Sequence, residues 1–253
     1  FFRTNSLFRR KFIDRCIFNL NPDYLDYLRI YEKNLKERSK ILKDLSAKDF
    51  FYIKGKNIEK DLWIEKIEEK LVNEGIKIFL ERIKFSNDFN SLSNNFKNFP
   101  RIKIFLTGKI EKLLSSKNLE TVKKIYLQKL LNCRKIDSIK GSISYGPNKS
   151  DLKVMFLKKK KLAEKCSTGE QKIILISLII QFCKLMNNKT NYPILLLDEI
   201  VAHLDNKIKL SLFEELKTLK NQVWMSGTDV SLFSHIIKDK EVANLEIEDL
   251  LKQ

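Results

Sequence analysis

With 253 residues and 43% hydrophobic content, the chain carries enough apolar side chain for one large core or two modest ones, which argues against a disordered polypeptide. Lys and Arg number 49 against 32 Asp and Glu, a formal charge of +17, so a polyanion such as nucleic acid or an acidic surface is a candidate partner. An AT-rich coding bias, which inflates Lys, Asn and Ile together, produces the same balance without a selected binding face.

Four scattered cysteines, Cys16, Cys133, Cys166 and Cys183, form no CxxC pair and have no His at ligand spacing, so neither a zinc site nor a disulfide framework is expected. A reducing cytosol fits best. No run approaches the ~18 apolar residues of a membrane span, and FFRTNSLFRRKF lacks the apolar core of a secretory signal. The chain does not open on Met, and Phe1 reads as the cut end of something longer.

From Arg9 to Leu20, apolar Phe12, Ile13, Cys16, Ile17 and Leu20 line one helical face, which Asn21 and Pro22 stop. From Asp23 onward, Leu25, Leu28, Tyr31, Leu35, Leu42 and Leu45 mark a long amphipathic helix interrupted by Arg38. FYIKGKN, Phe51 to Asn57, supplies a turn. Leu62, Ile64, Ile67, Leu71, Ile78 and Phe79 then make a second stripe, so an antiparallel helical hairpin spanning about 23–84 is predicted.

Asn87 to Phe99, rich in Asn and Ser, reads as a loop and a domain boundary. Arg101 to Leu106 alternates as a strand with one wet face. Leu113 to Leu131 returns to helical spacing. Between Asp137 and Leu157 the period shifts to two, which predicts a pair of strands around the turn GPNKSD. The lysine run Lys158 to Lys161 reads as a solvated hairpin tip or a phosphate-gripping patch.

The chemistry concentrates between Cys166 and Asp205. Ser167 is placed to cap a helix beginning near Gly169, and glycine there leaves the backbone open to a ligand. The following segment, Ile173 to Leu185, is apolar on nearly every side and implies a buried helix. Its N-terminus offers free N–H groups and the positive end of the dipole to a phosphate. Pro193 opens the strand ILLL, whose continuous aliphatic run predicts cover on both faces. It ends in Asp198 and Glu199, a pair suited to holding a magnesium ion and orienting a water.

In this order the motifs resemble the RecF family of chromosome-maintenance-type ATP-binding-cassette (ABC) ATPases. STGEQ resembles the family's signature motif, ILLLDE its Walker B strand and AHLD its D-loop. RRKFIDR, NPDYLDYLRIYEKNLKERSKIL, GPNKSD and QVWMSGTD are similar to that family rather than to transporter ATPases. The resemblance implies that Asp198 holds Mg2+ through water and Glu199 polarises the attacking water. It places Ser167, Gly169 and Gln171 on the γ-phosphate of ATP bound to a partner subunit, and Asp205 at the dimer seam. It also implies an ATP-dependent homodimer on DNA, at gaps where single strand meets duplex, cooperation with RecR and RecO, indirect action on RecA, a cytoplasmic location and no membrane partner. Two departures stand out. The GPNKSD turn differs from the family's GPHRDD, and Ser226 to Asp229 lacks the histidine found after the last core strand of many cassette ATPases.

A self-sufficient site needs G-x-x-x-x-G-K-S/T. Only Gly141 and Gly146 are five apart, and Pro147 and Asn148 follow, so the sequence holds no P-loop. The family places that loop ahead of where Phe1 begins, so hydrolysis is expected of a complete protein and not of these residues alone. The expected fold is therefore α/β, an ABC-type head of the P-loop NTPase class, incomplete, with a mostly helical second lobe. Residues 1–100 would form the lobe and 101–253 the head. Two further readings remain open at this level: a non-enzymatic basic helical module that binds DNA by charge, and a transporter-type ATPase subunit.

Overall fold

The computed structural model describes residues 1–46, 58–92, 99–188, 192–202 and 204–246. The predicted turn at Phe51 to Asn57, and His203 of AHLD, lie outside them. Two compact units emerge, each built from several stretches of chain. The first comprises Phe1–Ser91, Lys103–Met155 and Leu162–Glu164; the second comprises Leu92–Ile102, Phe156–Lys161 and Lys165–Gln253.

In the first unit, α1 (Ser6–Leu20) starts where the Asn5 side chain accepts the Leu7 N–H at 3.1 Å, a standard N-cap. Its inward face is Ile13, Cys16 and Ile17, as the spacing predicts. Helices α2 (Tyr24–Ser46) and α3 (Ile58–Ser91) pack together in opposite directions. Tyr24 meets Arg82, Tyr31 lies over Gly75, and Arg38 meets Glu68. Each step of seven up α2 is a step of seven down α3, the signature of a coiled-coil-like seam. The predicted antiparallel hairpin is thus present.

A third helix, α5 (Leu119–Lys140), packs on both. Its Tyr126 ring meets Phe79 edge-on, and Arg134 reaches Glu68. The bundle therefore takes its third helix from beyond residue 100. Arg38, which interrupts the apolar stripe in sequence, stands in the middle of this bundle. It is 2% exposed and donates to Glu68 Oε1 at 2.8 Å, Asp137 Oδ2 at 2.7 Å and the Leu130 carbonyl at 2.9 Å. Glu68, fully buried, also receives Arg134.

Two sequence expectations need correction here. The loop predicted from Asn87 begins later, because α3 continues to Ser91. Phe89 is buried against Phe85, and Asn90 pairs with the backbone of Ile104 through both its amide atoms at 2.8 Å. The paired strands predicted between Asp137 and Leu157 reduce to one. Helix α5 runs on to Lys140 and stops at Gly141, whose φ of 63° is the left-handed C-cap conformation, so Ile139 lies on a helix and is exposed.

The surviving strand β2 (Asp151–Phe156) alternates as predicted and lies between β1 (Ile102–Thr107) and β3 (Lys161–Leu162). Short α4 (Lys109–Leu114) follows β1. The lysine run falls at the exposed turn between β2 and β3.

In the second unit, α6 (Thr168–Asn187) is buried on nearly every side, as its composition demands. Strands β4 (Leu195–Leu197) and β5 (Val223–Met225) pair in parallel, with Leu196 opposite Trp224. Helix α7 (Asn206–Lys217) supplies Leu212, Phe213 and Leu216 to a core shared with Ile176 and Ile180 of α6 and with Leu195 and Leu197. The strand expected to be covered on both faces is covered on one by the described residues: Leu196 is 72% exposed and Trp224 50%. Among the described residues, no helix is long and apolar enough to cross a membrane.

Candidate functional site

Two turns of the second unit carry the residues singled out by sequence. At the first, Ser167 is the N-cap of α6 in a closed capping box. Its Oγ accepts the Glu170 N–H at 3.3 Å, and the Glu170 carboxylate accepts the Ser167 N–H at 2.9 Å. This is the reciprocal satisfaction of orphan donors that the S-x-x-E spacing encodes. No atom lies within 4 Å of the point where a Cβ on Gly169 would stand, so the glycine spares no neighbour in its own chain and leaves the turn accessible from outside. Gln171 turns back, donating its amide to the Cys166 carbonyl at 3.0 Å.

Lys159, from the β2–β3 turn, forms an ion pair with Glu170. That hydrogen bond, with the backbone bond from Ser167 second, holds the Glu170 carboxyl down to about 2. A depressed carboxylate contributes its cap fully above the ordinary value of 4.5 and loses it as pH falls through about 2. Lys159→Ala is therefore expected to move the Glu170 titration, followed by side-chain carbon NMR, upward toward 4.5. An unmoved titration would show that the lysine does not hold the acid.

At the second turn, β4 delivers Asp198 and Glu199 to the surface. Ser226, just after β5, ties them together. Its N–H donates to the Leu197 carbonyl at 3.1 Å, its Oγ donates to Asp198 Oδ1 at 2.5 Å, and the same Oγ accepts the Glu199 N–H at 3.0 Å. Glu199 has a φ of 47°, a left-handed conformation that costs a non-glycine residue about 1–2 kcal/mol. Lys172, one turn into α6, donates to the Glu199 carbonyl at 3.3 Å. The Glu199 residue is thus held at its N–H by Ser226 and at its C=O by Lys172.

Asp205 caps α7, accepting the Ile208 N–H at 2.8 Å. The structure brings Asp198 and Glu199 together and links them to α6 through Lys172; Asp205 stands at the start of the next helix. In the sequence, Lys172 and Glu170 carry no individual role, Lys159 shows only as part of the lysine run, and Ser226 is marked only by a missing histidine. Its position directly after the strand that pairs with ILLL was the available signal.

The donor chemistry fits a hydrated magnesium ion. Both acids are exposed, neither forms a recorded ion pair with a cation among the described residues, and Asp198 Oδ2 has no hydrogen bond among them. One or two carboxylates completed by water and phosphate is the usual protein contribution to Mg2+ binding.

No family model matches the chain. The DNA replication and repair protein RecF of Rickettsia canadensis is 32% identical over 247 residues, 96% of this chain and 65% of that protein. RecF of Rickettsia rickettsii is 34% identical over 90% of this chain and 61% of its own length, and that of Mesorhizobium japonicum 33% over 90% and 58%. The chain thus spans less than two thirds of each relative. In fold it matches the recombination mediator RecF-ATP of the RecFOR pathway with a TM-score of 0.71 at 22% identity, over 90% of this chain and 60% of that one. The architecture is mixed α/β with a mostly helical lobe, and no G-x-x-x-x-G-K-S/T stretch lies among the 253 residues. Sequence and fold agree over the shared length, and the chain is RecF-like, similar to the DNA replication and repair proteins of that name.

Proposed function

We propose that these residues serve a RecF-type ATPase that dimerises on DNA with ATP bound, at gaps where single strand meets duplex, and that acts in the cytoplasm with RecR and RecO to help load RecA. Asp198 holds Mg2+ through water, and Glu199 orients the attacking water. Mg2+ supplies charge neutralisation at the β- and γ-phosphates. Ser167 and Gly169 present the N-terminus of α6 to the γ-phosphate of the nucleotide held by the other subunit. Gln171 contributes after releasing Cys166, and Asp205 lies at the seam.

The observation that carries this reading is the pairing of an unobstructed, capped helix N-terminus at Gly169 with an acid pair held by Ser226. Each half is useful only beside a phosphate cradle. These 253 residues alone are therefore expected neither to bind ATP tightly nor to turn it over.

Joined to a P-loop segment, the protein should dimerise with ATP and Mg2+, and Asp198→Asn should abolish that dimerisation. Analytical ultracentrifugation with and without nucleotide reads the result. Unchanged dimerisation in the variant would favour the charge-driven, non-enzymatic module, in which the acids only finish a core strand.

A further inference from the structure

The first unit contains an open cleft of about 500 Å³, lined by Thr107 to Lys112 at the start of α4 and by Ser144, Tyr145, Gly146, Lys149 and Asp151 around the GPNKSD turn. This volume falls in the range of small-ligand sites, and the residues proposed for nucleotide chemistry lie elsewhere in the sequence.

The wall made by the turn is fixed from behind. Arg82 donates to the Pro147 carbonyl at 2.8 Å, Arg10 to the Ser150 carbonyl at 2.7 Å, and Arg9 grips Asp151 through two bonds of 2.7 and 3.0 Å. Gly146 has a φ of 140°, and a Cβ there would stand 2.1 Å from the Tyr31 hydroxyl, so the turn is seated against the bundle too tightly for any side chain. Such anchoring spares a ligand the cost of ordering the loop.

The charge at the mouth is positive and unspent. Lys109, Lys112 and Lys149 are exposed and form no recorded ion pair among the described residues. Lys109 stands 4.6 Å from the centre of the Tyr145 ring and Lys129 5.9 Å, which gathers a fourth ammonium to the same side. Of the two acids, Asp151 is neutralised by Arg9 and by Lys153 at 3.2 Å. Glu111 is buried, with Oε1 lacking a hydrogen-bond partner, so its charge lies inside and an anion is favoured only at the lysine-bearing mouth.

We propose that this cleft is a phosphate-binding site for the backbone of a nucleic-acid strand, gripped by Lys109, Lys112 and Lys149. The proposal rests on the DNA-binding reading above and names which of the 49 basic residues carry it. Contact through phosphate makes it indifferent to sequence.

The test compares the protein that joins these residues to a P-loop segment, with ATP and Mg2+ present, with two triple variants of it by fluorescence anisotropy on a labelled gapped duplex across a salt series. One variant is Lys109→Ala, Lys112→Ala, Lys149→Ala. The other removes equal charge from exposed positions of α2 by Lys33→Ala, Lys36→Ala, Lys40→Ala. Circular dichroism confirms that all three fold alike.

The cleft variant should lose at least about tenfold in affinity, and its log-log salt slope should shrink by about two to three, one unit for each phosphate contact removed. The control should lose much less. Equal losses in both variants would assign binding to overall charge and overturn the cleft while leaving the DNA reading intact, as would an unaffected cleft variant. Failure of the unaltered chain to bind DNA would overturn both. Tight binding of a free mononucleotide that the cleft variant alone abolishes, with DNA binding unchanged, would reassign the cleft to small phosphates and overturn the strand proposal.

Discussion

Glu68→Gln should destabilise the helical unit by roughly 3–5 kcal/mol, the usual consequence of removing one partner from a buried ion pair. Glu68 is fully buried between Arg38 and Arg134, each 2% exposed. It accepts Arg38 at 2.8 Å and Arg134 at 2.7 Å. Without it, Arg38 keeps Asp137 at 2.7 Å, whereas Arg134 faces Glu65, 4.0 Å away and partly exposed. Two guanidiniums would then share too little negative charge in a place water does not reach.

The readout is a lower urea midpoint at unchanged slope, which isolates stability from a change in compactness. A shift worth less than about 1 kcal/mol would mean that the cluster relaxes to solvent at little cost. Replacing the cluster with apolar side chains of similar volume is a separate matter and is often neutral or stabilising, so the network is best viewed as a device that fixes the register of α2, α3 and α5.

The second large effect belongs to Glu199. In a protein that joins these residues to a P-loop, Glu199→Gln should lower kcat by about 10²- to 10⁴-fold, the range for loss of a positioned general base. ATP-dependent dimerisation should persist, because the amide preserves shape and Asp198, the residue proposed to hold Mg2+, is untouched. Ser226→Ala should produce a milder version of the same loss. It removes the hydroxyl that bonds Asp198 Oδ1 and the Glu199 N–H, and with it part of the support for the left-handed Glu199 backbone.

Much of the site was legible because its signals are local. A cap, a glycine, a buried helix, an aliphatic strand and two acids occur in a fixed order, and each has a short-range physical cause. The hairpin was legible for the same reason, since a seven-residue recurrence on two adjacent segments needs no distant information.

What the sequence concealed depends on partners far along the chain. Arg38 looks like a break in an apolar stripe until Glu68, thirty positions on, and Asp137, ninety-nine on, are brought to it. The Asn-rich start of the predicted loop is helical because Asn90 is satisfied by Ile104. Ile139 and Ile143 imitate a strand's alternation although α5 holds the first and the chain leaves the helix before the second. In Leu196 the discrepancy runs the other way: the aliphatic run predicts cover on both faces, and the described residues cover one.

Mixing two inactive proteins tests most directly whether the α6 turn works on the other subunit's nucleotide. Ser167→Arg and Glu199→Gln are made separately in the P-loop-bearing protein, and ATP turnover is measured for each alone and for an equimolar mixture. If the signature acts in trans, a mixed dimer gathers both lesions into one site and leaves the other intact. Turnover should then recover to roughly a quarter of the unaltered level, half the dimers being mixed and each holding one working site of two in a symmetric pair. A mixture no more active than its components, with mixed dimers shown to form, would contradict the account and confine the signature turn and the acid pair to a site within one chain.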